Sequence, residues 1–97
     1  MSEIHTNERT QSVFHALADA SRREILHLLR DGEMTAGEIA AHFDFSRASL
    51  SHHLNQLRQA ELVRVRKDGQ RRIYSLNTSL FEDLLAFVFQ FIGEKKP

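Results

Sequence analysis

Hydrophobic residues recur at intervals of three and four along the first third of the chain, a spacing that places them on one side of a helix. The first group predicts a helix at about residues 10–18. The second predicts a helix that begins near Asp19, whose carboxylate can cap the first turn, and that stops at Asp31-Gly32. Two helices separated by a very short joint are therefore expected in this part of the chain.

Two further helices follow, joined by three or four residues. Thr35 and Glu38 have the spacing of a capping box, in which each side chain bonds to the backbone N–H of the other, and this pair marks the third helix. Ser46 is the expected cap of the fourth helix, which runs to about Ala60. We interpret residues 35–60 as a helix-turn-helix.

After the fourth helix the pattern changes from helical to strand-like. Residues 62–76 contain β-branched and aromatic residues on both sides of Asp68-Gly69, a pair that favours a tight hairpin turn. A hairpin directly after a helix-turn-helix has the layout of a wing. The predicted fold class is mainly α with a small β-hairpin, a winged helix-turn-helix in a single domain over residues 1–97.

The final helix is predicted at about residues 79–92, starting at Thr78 or Ser79, and Ser79 has capping-box spacing to Glu82. Its apolar residues cover an arc of about 200°, well beyond the ~100° stripe of an ordinary surface helix. The surplus indicates two packing surfaces, one for the helix's own core and one for a second subunit. The alternative is an enlarged core within one chain.

Composition limits the class of protein. The 97 residues suit one domain, and the absence of cysteine excludes a disulfide framework and thiolate metal ligands. No apolar run reaches the ~18 residues that a membrane span needs. The first ten residues are polar and lack the apolar segment of a secretion signal. We expect a cytoplasmic protein that is not itself a membrane protein.

A net charge of zero conceals a strong asymmetry. Residues 46–76 carry seven basic and two acidic side chains, a net charge of +5, and the remainder carries −5. A basic cluster on an acidic body is typical of a protein that binds a polyanion. The alternative is a solvated run of charge with no partner.

The fourth helix combines a leucine stripe (Leu50, Leu54 and Leu57) with an opposite face that has no carboxylate. Hydroxyl, imidazole and amide groups on that face match the hydrogen-bonding edges of bases in the DNA major groove. The basic hairpin can meet phosphates or the adjacent minor groove. The alternative is a neutral helix exposed to solvent. The candidate DNA-binding residues are Arg47, Ala48, Ser49, Ser51, His52, Asn55 and Gln56 on the helix, and Arg66, Lys67, Arg71 and Arg72 on the hairpin.

His53 lies beside the leucine stripe rather than opposite it. This position predicts a partly buried histidine that hydrogen-bonds to a neighbouring element. A direct contact with DNA is the alternative.

Catalysis is not indicated. Ser51, His52 and His53 could suggest a nucleophile and a base, but adjacent helical residues point about 100° apart and no acid lies nearby in sequence to orient an imidazole. The sequence also lacks a glycine-rich phosphate loop and an H-E-x-x-H motif. We therefore expect a binding protein and not an enzyme, and no catalytic residues.

Two long stretches, "HALADASRREILHLL" (His15–Leu29) and "MTAGEIAAHFDFSRASLSHHLNQLRQAELVRVRKDGQRRIYSL" (Met34–Leu76), together with the closing helix, resemble the ArsR/SmtB family of bacterial winged-helix repressors. Within it they most resemble the SdpR-type autorepressors. The resemblance implies a homodimer that binds an inverted-repeat operator in double-stranded DNA and blocks transcription, with its dimer interface built from the first and last helices. The interface candidates are Val13, Phe14, Leu17, Phe81, Leu85, Val88, Phe89 and Ile92.

Many members of that family sense metals through cysteines in the third helix or through Asp, His and Glu in the last. This chain has no cysteine, its last helix has no histidine, and its six histidines include no pair at i,i+4 spacing. We therefore expect no metal site and no cofactor, with regulation by a protein partner, by a small ligand or by concentration. The alternatives are a metal- or ligand-sensing repressor of the same family, or a winged helix that binds another protein.

Overall fold

The computed structural model describes residues 8–93, so the polar start of the chain, with His5, lies outside the described residues. Helices alternate with short strands in an order that follows the predicted helix, helix, helix, helix, hairpin, helix. The elements are α1 (Glu8–Leu17), α2 (Ala20–Leu28) with a 3-10 turn (Leu29–Asp31), β1 (Met34–Thr35), α3 (Ala36–Ala40), α4 (Arg47–Gln59), β2 (Val63–Asp68), β3 (Arg71–Leu76) and α5 (Thr78–Phe89).

Three helices begin where their local sequence predicts. Asp19, Thr35 and Ser46 each accept a hydrogen bond from the backbone N–H three residues further on, at 3.0–3.1 Å. The capping box before α3 is complete, because the Glu38 carboxylate also accepts from the N–H of Thr35 at 2.8 Å. These caps satisfy amide groups that a helix start would otherwise leave without partners.

Helix α5 begins differently from the prediction. The expected capping pair of Ser79 and Glu82 is wrong, because the N-cap is Asn77, whose side-chain oxygen accepts from the N–H of Leu80. Asn77 is buried and its amide also donates to the backbone oxygen of Glu61 at 2.9 Å. The helix ends at Phe89, three residues before the predicted end.

The sheet has one strand more than the sequence predicted. Strand β1 pairs antiparallel with β3, with Met34 opposite Tyr74, and β3 pairs antiparallel with β2, so the strand order is β1-β3-β2. The segment that leads into α3 is therefore hydrogen-bonded to the hairpin. This pairing fixes the wing relative to the helix-turn-helix.

The hairpin itself is confirmed, but its turn lies one residue later than expected. Asp68 belongs to β2 and pairs with Arg71, which leaves Gly69 and Gln70 as the loop. Gly69 has φ of +67°, a conformation that glycine adopts without steric cost. A glycine at the first of two loop positions is typical of a type II′ hairpin turn.

The core lies where the five helices meet the base of the hairpin. Leu50, Leu54 and Leu57 of α4 are all buried there, as the stripe predicted. Val13 is also completely buried among residues of its own chain. Its side chain is therefore not available to a second subunit, and Val13 leaves the set of interface candidates.

Helix α4 ends in a Schellman motif. The N–H of Leu62 donates to the oxygen of Leu57 and the N–H of Glu61 donates to that of Arg58. Glu61 takes the left-handed conformation that this motif requires, with φ of +65°. The described residues thus form a winged helix-turn-helix that is mainly α with a small β-sheet.

Candidate nucleic-acid interface

The face of α4 opposite the leucine stripe is open to solvent. Of the seven helix residues predicted to contact DNA, six are exposed and Gln56 is half-buried. Their side chains offer hydroxyl, imidazole, amide and guanidinium groups and no carboxylate. The exposed members are Arg47, Ala48, Ser49, Ser51, His52 and Asn55.

An aromatic stack supports the start of α4. The rings of Phe43 and Phe45 lie 4.6 Å apart and nearly parallel, and the ring of Phe45 lies 5.2 Å from that of His53. Both phenylalanines belong to the segment that joins α3 to α4. The stack therefore connects the turn of the helix-turn-helix to the buried side of α4.

His53 is partly buried and bonded to a neighbouring element, as predicted. Its Nδ1 lies 3.3 Å from Nη1 of Arg22, a residue of α2 that is only 6% exposed. Arg22 also donates to the backbone oxygens of Ala16 at 2.8 Å and His15 at 3.2 Å. One guanidinium on α2 thus contacts both α1 and α4.

This environment favours a neutral imidazole. Burial lowers the pKa of His53, and the positive charges of Arg22 and His52 lower it further, while the carboxylate of Asp19 acts in the opposite direction. Asp19 has a lowered pKa itself, first because it accepts the backbone N–H of Arg22.

The wing cations fall into two groups. Arg66 bonds to Glu33 at 2.8 Å and lowers the pKa of that carboxyl group, and Arg71 bonds to Asp68 at 3.0 Å. These pairs are exposed and in high dielectric, so they are weak and can exchange for phosphate. The predicted DNA-binding cations without a partner among residues 8–93 are Arg47, Lys67 and Arg72.

A groove of about 470 Å³ separates α3, α4 and β3. Arg47, Arg58 and Arg72 line it, together with Ser51 and Asn55, and none of its lining residues is acidic. Three guanidinium groups without a counter-charge suit an anion such as a phosphodiester. The groove brings the recognition helix and the wing to one surface.

Two arginines that have a structural role were not identified from the sequence. Arg58, counted in the basic segment but not as a contact, lines the groove and donates to Asn55 at 3.2 Å. Arg22 bonds to residues of two other helices, and the sequence carries only an indirect sign of this. Its signal in the sequence is a pair of arginines, Arg22 and Arg23, just after the end of a helix, where cations can bond to free carbonyl oxygens.

The second exposed surface is apolar. Among the remaining interface candidates, Leu85, Val88, Phe89 and Ile92 are exposed, with Leu85 at 67% and Ile92 at 66%. Phe14 of α1 is 40% exposed and lies beside Phe87 of α5, with ring centroids 6.0 Å apart. The other candidates, Leu17 and Phe81, are half-buried against their own core.

Within residues 8–93, no three His, Asp or Glu side chains come together in a way that could hold a metal ion. In the same part of the chain, no helix has the length and apolar character needed to cross a bilayer.

Comparisons with known proteins agree with this geometry. Residues 19–65 match the model of a family described as bacterial regulatory protein, arsR family. The chain is 48% identical over 83 residues to the transcriptional repressor SdpR of Bacillus subtilis (strain 168), covering 86% of this chain and 92% of that protein. It is 43% identical over 74 residues to an arsenical resistance operon repressor of Staphylococcus aureus, covering 76% and 71% of the two chains.

The fold also matches a solved structure. The crystal structure of an ArsR family transcriptional regulator superposes with a TM-score of 0.81 at 30% sequence identity. The match covers 92% of this chain and 100% of that one.

Proposed function

This chain belongs to the arsR family of bacterial regulatory proteins, as its motifs predicted, and on that basis we propose that it is a homodimeric repressor of an inverted-repeat operator that binds DNA without a metal. Its relatives are transcriptional regulators, so the chain is a DNA-binding regulator and not an enzyme. We also propose that it acts in the cytoplasm.

The proposal of sequence-specific binding is supported by the exposed, acid-free face of α4, which lies beside a groove lined by three arginines. Hydroxyl, imidazole and amide groups can distinguish base pairs in the major groove. Cations without a partner among residues 8–93, such as Lys67 and Arg72, supply affinity through phosphates without regard to sequence. A winged helix that binds another protein would not need this concentration of positive charge.

Dimerisation is supported by the apolar stripe of Leu85, Val88, Phe89 and Ile92 on and just after α5, which the chain's own core does not cover. Contiguous apolar surface of this kind marks an interaction site on a small protein. Two-fold symmetry across it would present two α4 helices to half-sites about one turn of DNA apart, which is why the expected operator is an inverted repeat.

Independence from metal is supported by the ligand types present. Without cysteine the chain has no thiolate for a soft metal, and no two of its histidines are four residues apart on a helix. Regulation then falls to a protein partner, a small ligand or the concentration of the repressor itself.

Selection of bound duplexes from a random DNA pool, with chelator-treated protein, tests the whole proposal. We expect enrichment of an inverted repeat whose half-sites are centred about 10 base pairs apart or a multiple of that distance. Enrichment of a single half-site would contradict the dimer. Enrichment that appears only after zinc or nickel is added would contradict metal-free binding and favour a metal-sensing repressor. No enrichment under either condition would contradict sequence-specific recognition.

A further inference from the structure

Arg22 is a buried cation whose guanidinium donates mainly to backbone oxygens. Its Nε and Nη2 donate to the oxygens of Ala16 and His15, which lie in the last turn of α1. The carbonyl oxygens at a helix C-terminus lack partners within the helix and carry the negative end of its dipole, so they suit a guanidinium. Arg22 therefore fixes the end of α1 against α2.

The remaining contact of Arg22 reaches α4 and depends on protonation. A guanidinium has donors only, so the 3.3 Å approach of its Nη1 to Nδ1 of His53 is a hydrogen bond only if that nitrogen is an acceptor. The geometry thus assigns His53 as a neutral imidazole with its proton on Nε2. A protonated imidazole has N–H groups at both positions, which would remove the bond and set two cations against each other.

We propose that neutral His53 is a positioning residue for DNA recognition, because its bond to Arg22 holds α4 against α1 and α2 in the orientation that reads the bases. Acidification then breaks this bond and lowers specific DNA binding. The inference rests on the proposed function, since it concerns how α4 is held and adds no contact with DNA.

The surroundings of His53 support this role. Arg22 and Asp19 face it from the start of α2, His52 adjoins it on α4, and the ring of Phe45 lies against it from the turn before α4. Burial disfavours a charged imidazole, and so do the positive charge of Arg22 and that of His52 when it is protonated. The Asp19 carboxylate favours the charge but already accepts the N–H of Arg22.

The direction of the pH effect follows from the lowered pKa of His53. As the pH falls through the ordinary histidine value of about 6.5, the unfolded chain takes up this proton before the folded chain does. Folding stability from the contact is therefore complete above that value and declines below it. At neutral pH the folded protein keeps the acceptor that Arg22 needs.

The contact also connects two surfaces. Arg22 binds the end of α1, and α1 carries Phe14 beside the exposed stripe of α5. His53 lies on the helix that carries the reading face. A change in the Arg22–His53 bond therefore affects the position of α4 relative to α1, and so the DNA surface relative to the proposed dimer surface.

The first arm of the test is an NMR titration of the histidine imidazoles in the full chain without DNA. We expect His53 at pH 7.5 to show an unprotonated Nδ1 and to titrate with a pKa below the ordinary histidine value of about 6.5. A protonated Nδ1 at pH 7.5, or a pKa at or above the ordinary value, would overturn the proposal whatever happens with DNA.

The second arm compares the affinity for the selected operator with that for a random duplex between pH 7.5 and 5.5. The ratio removes the general gain in phosphate attraction at low pH. His53→Asn keeps an acceptor near the Nδ1 position and cannot be protonated, and His27→Asn removes an exposed histidine that Arg22 does not contact. We expect this affinity ratio to fall with acidification in the parent and in His27→Asn, and to fall less in His53→Asn. The expected fall is about tenfold for each unit by which the pKa of His53 differs between the DNA-bound and the free protein.

The outcomes separate the two proposals. Selection without enrichment contradicts the proposed function. An enriched operator with the same pH profile for the parent and His53→Asn overturns the role of His53 alone. Circular dichroism at each pH verifies that every variant is folded, and if His53→Asn fails to fold, the titration of the parent decides.

Discussion

Glu61 ends α4 in a backbone conformation that residues with a Cβ seldom adopt. Glycine is the usual residue at this position of a Schellman motif. Glu61 gains an ion pair with Arg9 at 2.7 Å, but both side chains are about half exposed, so the pair contributes no more than about 1 kcal/mol. Backbone strain at Glu61 is therefore not fully offset by its side chain.

We predict that Glu61→Gly relieves this strain. The matched control is Glu61→Ala, which removes the same ion pair but keeps the Cβ. In urea unfolding, the glycine variant should be more stable than the alanine variant by about 1 kcal/mol. Equal free energies of unfolding for the two variants would show that the left-handed conformation carries no cost here.

Single residues also show what sequence could and could not predict. Asp19, Thr35 and Ser46 were identified as caps because each bonds to an N–H three residues away. Asn77 makes the same local bond, to the N–H of Leu80, but the capping-box spacing of Ser79 and Glu82 competed with it in the sequence. The bonds of Asn77 to Arg64 and to the backbone of Glu61 form only in the folded chain. Local sequence patterns predict hydrogen bonds between nearby residues. Where two such patterns compete, tertiary contacts decide which bond forms.

At the scale of elements, the division between a reading helix and an anchoring wing stays a prediction, to which the structure adds a distinction among the wing cations. The sequence did not separate the basic wing residues, whereas Arg66 and Arg71 have acidic partners and Arg72 has none among residues 8–93. An arginine that must first break an ion pair with a carboxylate gains less binding free energy from a phosphate. Helical spacing identified the exposed face of α4, but it could not show that Gln56 is half-buried.

We predict different consequences for the two elements. His52→Ala should cost about 1–3 kcal/mol at the selected operator and relax base preference. Arg72→Ala should weaken operator and random duplex alike and reduce the salt slope by about one unit, with a smaller effect for Arg71→Ala. Titrations at several salt concentrations measure both quantities.

Arg30→Ala is the control for charge, because Arg30 is exposed on the 3-10 turn and does not line the groove. It should leave the salt slope close to that of the parent. If His52→Ala and Arg72→Ala changed specificity and salt slope in the same way, the division of labour between α4 and the wing would be wrong.

The missed strand β1 belongs to this scale as well. Two residues, Met34 and Thr35, carry no recognisable strand pattern, and they form a strand because β3 offers free hydrogen-bonding groups at its edge. The hairpin was predictable from β-branched residues around Gly69, since both strands lie close together in sequence.

At the scale of the molecule, α5 has one apolar side buried in the chain's own core and another that is exposed to solvent. Leu80 and Phe87 are buried in the chain's own core, and Leu85 and Phe89 are exposed. Helical periodicity showed how much apolar surface exists, but not which residues the chain buries in its own core. For this reason Val13 was assigned to the interface, although it lies in the core.

We predict that Leu85→Glu prevents dimerisation without unfolding the chain, because Leu85 is 67% exposed and contributes little to its own core. The control is Ala86→Glu, which adds the same charge at an exposed position on the polar side of α5. In sedimentation, the parent and the control should have twice the 11.2 kDa mass of the chain, and Leu85→Glu should have the mass of one chain. A dimeric Leu85→Glu would place the interface elsewhere.

The sheet order has a consequence for solubility. Strand β2 lies at an edge, so one side of its backbone is free to pair with a strand of another molecule. Arg64, Arg66 and Lys67 lie along that strand and are exposed. Charged side chains on an edge strand oppose such pairing by repulsion between copies. The wing charges that attract DNA therefore also protect the free protein from edge-to-edge aggregation. Neutralising all three would both weaken DNA binding and make the protein prone to aggregate.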